Sequence, residues 1–468
     1  MKEALIPSRE RIFKWIEEIH GWGIRRPGYP ASTRAEQFSL ETFQNAGLEK
    51  VRKESVRLPY WHPSSCSLFI ITEQERFSID CFPLPHSSPV DKLALELVNY
   101  SSEDANAVAG KAALQSTPLL EIPPLTLVDA GQQLEDLQDA IKMDLGTGGL
   151  AYDPSGTLAT QTQILPFSGL IQEVMEPAMA SGAAAFIGIL DGYPGDSFEY
   201  YVPYDGIERP IPGVWIRGSD CSRIKQAMLS GQVRIELTVE SERELIEVHN
   251  IVGELPGADD EEVIIGSHHD GPWSSAVEDA SGMALVFAQA GYWAGVPRED
   301  RPHRLKFLLN AGHMAGGAGC EAYIERHKSG LLQIVLEIHL EHAAAEFRDD
   351  GTGLKPTGLP EPRWFFTSRN PWLQKVVFEI LQAEGLDRSL ILPPDVLGDR
   401  PTTDGGAFHV AGVPLVNYLT APFYLFDAID NPDKIHKPSL DAITRATIRL
   451  VEATGQVSAQ QMRDGILE

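Results

Sequence analysis

Basic residues are scarce in this chain of 468: 39 Lys and Arg stand against 66 Asp and Glu, for a formal charge of −27. A surface so acidic repels polyanions, which excludes nucleic acid and anionic membranes as partners. Cysteine is scarcer still. Cys66, Cys81, Cys221 and Cys320 show no C-x-x-C spacing, and the charged, amphipathic opening "MKEALIPSRERIFKWIEEIH" does not resemble a secretory leader, so a reduced, cytoplasmic protein is expected. No apolar run approaches the roughly 18 residues that a membrane span needs. Three catalytic signatures are missing as well: the G-x-G-x-x-G dinucleotide turn, the G-x-x-x-x-G-K-[ST] phosphate loop and the G-x-S-x-G elbow of serine hydrolases. The helical zinc motif H-E-x-x-H is also absent.

What is present is ordinary globular material, 43% hydrophobic and 22% charged, in a chain long enough for more than one compact unit. "SRERIFKWIEEIH" and "RAEQFSLETFQNAG" have helical spacing, the second ending on a glycine stop, with the loop "GIRRPGYPAS" between them. "SLFIIT" and "LALELVNY" suit strands. From about Leu165 a helix, an apolar strand and the passage "IPGVWIRGSDCSRIKQAMLSGQVRIELTVES" read as a small insert. From Val248 onward strands alternate with helices. Such alternation predicts an α/β fold with a mainly parallel, mixed sheet sandwiched by helices, in which ligands bind at the carboxyl ends of the strands.

Polar residues gather at three of those ends. Val263–Ile265 runs into Ser267, His268, His269 and Asp270; Leu305–Leu309 into Asn310 and His313; Ile334–Leu340 into Glu341 and His342. His268, Glu278, His313 and Glu341 are thereby expected to converge, and imidazole nitrogen with carboxylate oxygen is a donor set that zinc, manganese or iron accepts. Cys320, next to the flexible "GGAGC", is the alternative nucleophile, with a packed small residue as the simpler reading.

These stretches resemble a known group, the co-catalytic zinc aminopeptidases and glutamate-carboxypeptidase-like metallopeptidases with an inserted protease-associated domain. "NIVGELPGADDEEVIIGSHHDG" is similar to the family's strand leading to a His-x-Asp motif, and "EDASG" to its helix start. "IPGVWIRGSDCSRIKQAMLSGQVRIELTV" resembles the close of the small β-rich insert. The resemblance implies a catalytic domain in two parts, residues 1–110 and 240–468, interrupted by a protease-associated insert at 111–239, and by analogy a homodimer. It makes His268 a metal ligand, Asp270 the carboxylate that orients it, and Glu278 and Glu341 lengthened versions of two ligating aspartates. Elsewhere the pattern breaks. His313 and Met314 stand where paired glutamates are expected, Phe426 replaces the last histidine ligand with only Asp427 and His436 nearby, and Thr403, Asp404 and Gly405 replace a Ser-Asp-His signature.

The reading that follows is a metal-dependent hydrolase of an amide or related C–N bond in a small molecule or short peptide. It carries one divalent ion, zinc first and manganese or iron next, on His268, Glu278 and Glu341, with His313 as general base or a further ligand. The alternative is a catalytically silent relative, without metal, used for binding or assembly.

Overall fold

Helix α1, Arg9–His20, begins where the Ser8 side chain accepts the Arg11 N–H at 3.3 Å, and its Ile12, Trp15, Ile16 and Ile19 form a single buried stripe. Helix α2, Pro30–Ala46, has its proline in the first turn, where no N–H is required, and stops at Gly47, whose φ of 84° favours glycine. The computed structural model describes residues 1–132, 151–166, 174–401 and 403–464. The front of the helix expected after Leu165 falls at 167–173, outside the described residues.

One sheet of fifteen strands runs through the molecule. Its strands are β1 (Glu49–Ile71), β2 (Arg76–Ile79), β3 (Phe82–Pro83), β4 (Val90–Asn99), β5 (Ala112–Pro118), β6 (Ala151–Tyr152), β7 (Ala185–Asp191), β8 (Gly213–Arg217), β9 (Arg234–Leu255), β10 (Glu262–His268), β11 (Arg304–Asn310), β12 (Ile334–Leu340), β13 (Arg363–Thr367), β14 (Ser389–Leu392) and β15 (Leu415–Thr420). The small half has the order β3-β8-β7-β5-β4. The large half continues β9-β11-β10-β12-β15-β13-β14-β6.

In the large half, β11, β10, β12 and β15 are mutually parallel, while β9 and β13 flank them antiparallel. The fold is therefore mixed α/β with its central strands parallel. Those central strands are buried along their length, as expected when helices cover both faces. Helix α3, Gly282–Ala294, is apolar all round and almost wholly buried, and α1 and α2 both lie against it. Among the described residues no helix is long and apolar enough to cross a membrane.

The two halves are joined by a ribbon in which β1 pairs with β9 from Glu49↔Glu254 to Ile71↔Arg234. Strands β3 and β4, which precede residue 111, lie in the small half, and β6, inside 111–239, pairs with β14 at the far edge of the large half. The division into 1–110, 111–239 and 240–468 stays a proposal.

Candidate active site

The parallel strands β11, β10 and β12 are neighbours, so the loops leaving their carboxyl ends share one crevice. His268 closes β10. The chain then makes a buried irregular loop before α3, and three residues from outside it, with Asp279 from within, shape it. The Arg25 guanidinium donates to the carbonyls of Ser274, Ser275 at 2.9 Å and Glu278 at 3.3 Å. Arg26 donates to the Pro272 carbonyl at 2.7 Å. The Asp430 carboxylate accepts the N–H groups of Val277 and Glu278, each at 2.9 Å. Asp279 accepts the Gly282 N–H at 2.9 Å and the Ser267 hydroxyl, satisfying a free donor at the start of α3.

Glu278 is thereby aimed between two stacked imidazoles. Its Oε1 lies 3.4 Å from His268 Nε2 and 3.5 Å from His313 Nε2, and the two rings are 4.0 Å apart at 11°. All three residues are buried, with donor atoms within 4.8 Å of one another. Each imidazole is anchored through its other nitrogen. His268 Nδ1 donates to the Asp270 carbonyl at 3.0 Å, and His313 Nδ1 to the Asp404 carboxylate at 2.9 Å. In the neutral ring, anchoring of this kind fixes the tautomer that leaves Nε2 with a lone pair facing the common space.

The electrostatics of the two rings differ. Burial and the neighbouring histidines hold His268 well below its ordinary value. Burial opposes charge on His313 too, but Asp404, Glu278 and Glu341 outweigh it, and its pKa is pushed up to about 10.

His342, which follows Glu341 at the end of β12, completes the surround and had no role assigned from sequence. Its Nδ1 donates to the Thr420 carbonyl at 2.7 Å, so Nε2 meets Glu278 Oε2 in a close ion pair. Its only signal in the sequence was its position next to Glu341.

Two of the expected site residues stand apart from that cluster. Glu341 does not enter the three-residue donor set; its Oε1 lies 3.2 Å from His339 Nε2, and His339 Nδ1 in turn lies 3.0 Å from Glu337 Oε1. Rising through the strand, this buried carboxylate–imidazole–carboxylate line holds Glu341 at the crevice rather than around Glu278. The Asp270 carboxylate, for its part, stands 4.0 Å from His268 Nδ1. It accepts the backbone N–H groups of His313 at 3.2 Å and Met314 at 2.9 Å, so His268 is oriented by the Asp270 main chain, and the side chain shapes the His313 turn.

The substituted positions also find places. Met314 is buried in the apolar core. Phe426 stacks on Tyr204 at 4.8 Å, and Tyr204 on His313 at 5.3 Å, giving four rings in file from Phe426 to His268. Asp427 and His436 lie outside the donor set: Asp427 accepts the Ile429 N–H and His436 meets the Ser439 hydroxyl. The buried Cys320 thiol donates to the Asp404 carbonyl at 3.1 Å, and burial pushes it well above the ordinary thiol range, which does not suit a nucleophile.

The crevice opens into a cavity of about 170 Å³ lined by His313, Glu341 and His342 and by largely apolar residues, among them Leu165, Trp364 and Phe426. Behind Trp364, Gln163 accepts its indole N–H at 3.3 Å and donates to Glu361 at 2.9 Å. Burial, reinforced by Glu346, pushes the Glu361 carboxyl from 4.5 up to about 8. A carboxyl whose folded value is raised contributes stability that is complete below its unfolded value and is lost as pH rises through the folded one. Glu361→Gln is therefore expected to flatten the fall in melting temperature between about pH 5 and pH 8, the wild type losing several kcal/mol relative to the variant at about 1.4 kcal/mol per unit. Parallel melting curves across that window would refute it.

The donor set passes a direct test of fit. His268 Nε2 and Glu278 Oε1 are buried without a hydrogen-bond partner, and each such atom costs about 1–3 kcal/mol unless something satisfies it. Nitrogen and carboxylate oxygen turned on one point suit a borderline divalent cation.

A mixed α/β sheet with an imidazole–carboxylate crevice at its strand ends is the architecture against which known proteins are compared. Residues 250–458 match the model of Peptidase family M28, and the chain fits a divergent metallopeptidase of that kind. It is 22% identical to carboxypeptidase Q of Mus musculus over 423 residues, 87% of this chain and 76% of the relative. Among solved structures, a Peptidase M28 precursor from Shewanella amazonensis shares the fold with a TM-score of 0.69 at 18% identity, covering 95% of this chain and 93% of the other. A zinc aminopeptidase from Bacillus subtilis gives a TM-score of 0.64 at 16% identity, covering 96% and 95%.

Proposed function

We propose that the chain is a divergent, single-metal hydrolase of an amide or related C–N bond in a small molecule or short peptide, with His268, Glu278 and His313 as its metal-holding residues. The observation that supports it best is the convergence of the buried His268, Glu278 and His313 donor atoms within 4.8 Å of one another, with both imidazoles anchored through their far nitrogens. A divalent ion bound there would supply Lewis acidity for a carbonyl and an acidified water. The protein's own groups do the rest. Glu341, in the cavity lining and held by His339, accepts the proton of the attacking water and returns it to the leaving nitrogen. The apolar walls exclude bulk water and seat an uncharged side chain.

One metal rather than two is favoured by Met314 and Phe426, apolar groups where the resemblance expects ligands. The protease-associated identity of 111–239 belongs to the same proposal, supported by Tyr204 and Leu165 reaching the cavity from within that stretch. Homodimerisation and a cytoplasmic location rest on the family likeness and the cysteine pattern.

The test is metal analysis of protein purified without chelators, with hydrolysis of aminoacyl anilides followed in parallel. About one equivalent of metal is expected, lost to a chelator together with activity and restored by zinc. Stoichiometry near zero, unchanged on adding zinc, manganese or iron, would overturn the reading and favour the silent relative.

A further inference from the structure

Outside the crevice, the chain brings two of its four cysteines face to face. Strands β1 and β2 are antiparallel, with Leu68 opposite Ile79. Two residues beyond that pair lie Cys66, on β1, and Cys81, just past the end of β2, whose sulfurs are 3.1 Å apart. Both side chains are half-buried, at the margin of the small half's apolar core. Cys221 and Cys320 are buried. The register, which is set by the strand pairing, holds the two thiols within reach of each other and leaves them accessible to solvent-borne reagents, whereas the remaining thiols are shielded.

We propose that Cys66 and Cys81 form a reversible dithiol–disulfide pair, a cross-strand bridge closed by a small-molecule disulfide oxidant such as oxidised glutathione. One thiolate attacks the oxidant's S–S bond, forming a mixed disulfide and releasing one glutathione thiolate. The second cysteine sulfur, giving up its proton, displaces the other glutathione thiolate and closes the bridge. Two thiols are oxidised and one disulfide is reduced, with two electrons transferred.

The bridge sits next to the machinery of the crevice. Cys81 precedes Phe82, whose ring lies 5.1 Å from that of Trp273 in the loop leading to Glu278, and the Arg26 guanidinium stands 5.5 Å over the Phe82 ring. Closing Cys66 to Cys81 ties β1 covalently to the segment that buttresses that loop.

The experiment equilibrates the full chain with oxidised glutathione, alkylates under denaturing conditions and reads intact mass and a peptide map. The alkylated cysteines should fall from four to two, with a Cys66–Cys81 linked peptide, and dithiothreitol should restore all four. Cys66→Ser should instead trap glutathione on Cys81, while Cys221→Ser should leave the bridge intact. Four alkylatable thiols after oxidation, a bridge through Cys221 or Cys320, or an intermolecular disulfide would each overturn the proposal. If Cys66→Ser fails to fold, the wild-type peptide map decides alone.

Discussion

Replacing His268 with alanine should strip the protein of its metal and lower kcat/KM by about three orders of magnitude, while the chain still folds. His268 contributes an Nε2 turned toward Glu278 at 3.4 Å and an Nδ1 committed to a main-chain carbonyl, so its loss removes one donor from the set. Removing a group that only supports a ligand costs less, about 10–100-fold. Asp404→Asn, which keeps a hydrogen-bond acceptor beside His313 Nδ1 but loses the charge, should fall in that smaller range. The two variants together separate a ligand from its anchor. Metal content by elemental analysis and kcat/KM on one aminoacyl anilide are the measurements, with circular dichroism as the check on folding. If His268→Ala keeps its metal and its activity, the proposed donor set is wrong.

Arg25→Met should be the most destabilising single substitution near the crevice. The guanidinium is fully buried. It donates to three carbonyls of the loop that carries Glu278, and its charge faces Asp430, Asp279, Asp270 and Glu278. Burial pulls its pKa down to about 10, still well above neutrality, so the cation is present under ordinary conditions. Removing it leaves the carbonyls without donors and the carboxylates without a counter-charge, at about 3–5 kcal/mol. Arg25→Lys keeps the charge but has one compact ammonium in place of the planar fork, so its loss should be intermediate. Thermal unfolding ranks the three proteins, and metal titration shows whether the loop still presents Glu278. A melting temperature within a degree or two of wild type for Arg25→Met would mean that the loop holds without this clamp.

Arg25 illustrates how the sequence both revealed and concealed the site. It lies in "GIRRPGYPAS", legible as a loop, yet nothing local indicates that its side chain crosses to a segment some 250 residues later. His268 and Glu278 were recognisable because they share a short motif that ends a strand and opens a helix. His313 was placed in the crevice, but nothing local indicated its Asp404 partner, 91 residues away. Glu341 was expected as a ligand because the resemblance puts a ligating aspartate at its position. His339, two residues earlier on the same strand face, pairs with it instead, and His342 takes the place facing Glu278.

The ribbon between the two halves shows the same division. Residues 49–71 form one strand, although only "SLFIIT" reads as one. Pro59, Pro63 and a run of charged residues disguise the rest, because a strand in a half-exposed ribbon needs little apolar alternation when its partner supplies the hydrogen bonds.

By itself the sequence determined the periodic elements, the α/β class and the presence of metal-capable residues at strand ends, since these follow from side-chain spacing and from where a chain must turn. Only the tertiary structure decided which carboxylate faces which imidazole, which arginine holds the loop and which cysteines meet. Those pairings join residues far apart in the chain, and their energies depend on burial and on a few tenths of an ångström, quantities that exist only once the sheet has brought its strand ends together.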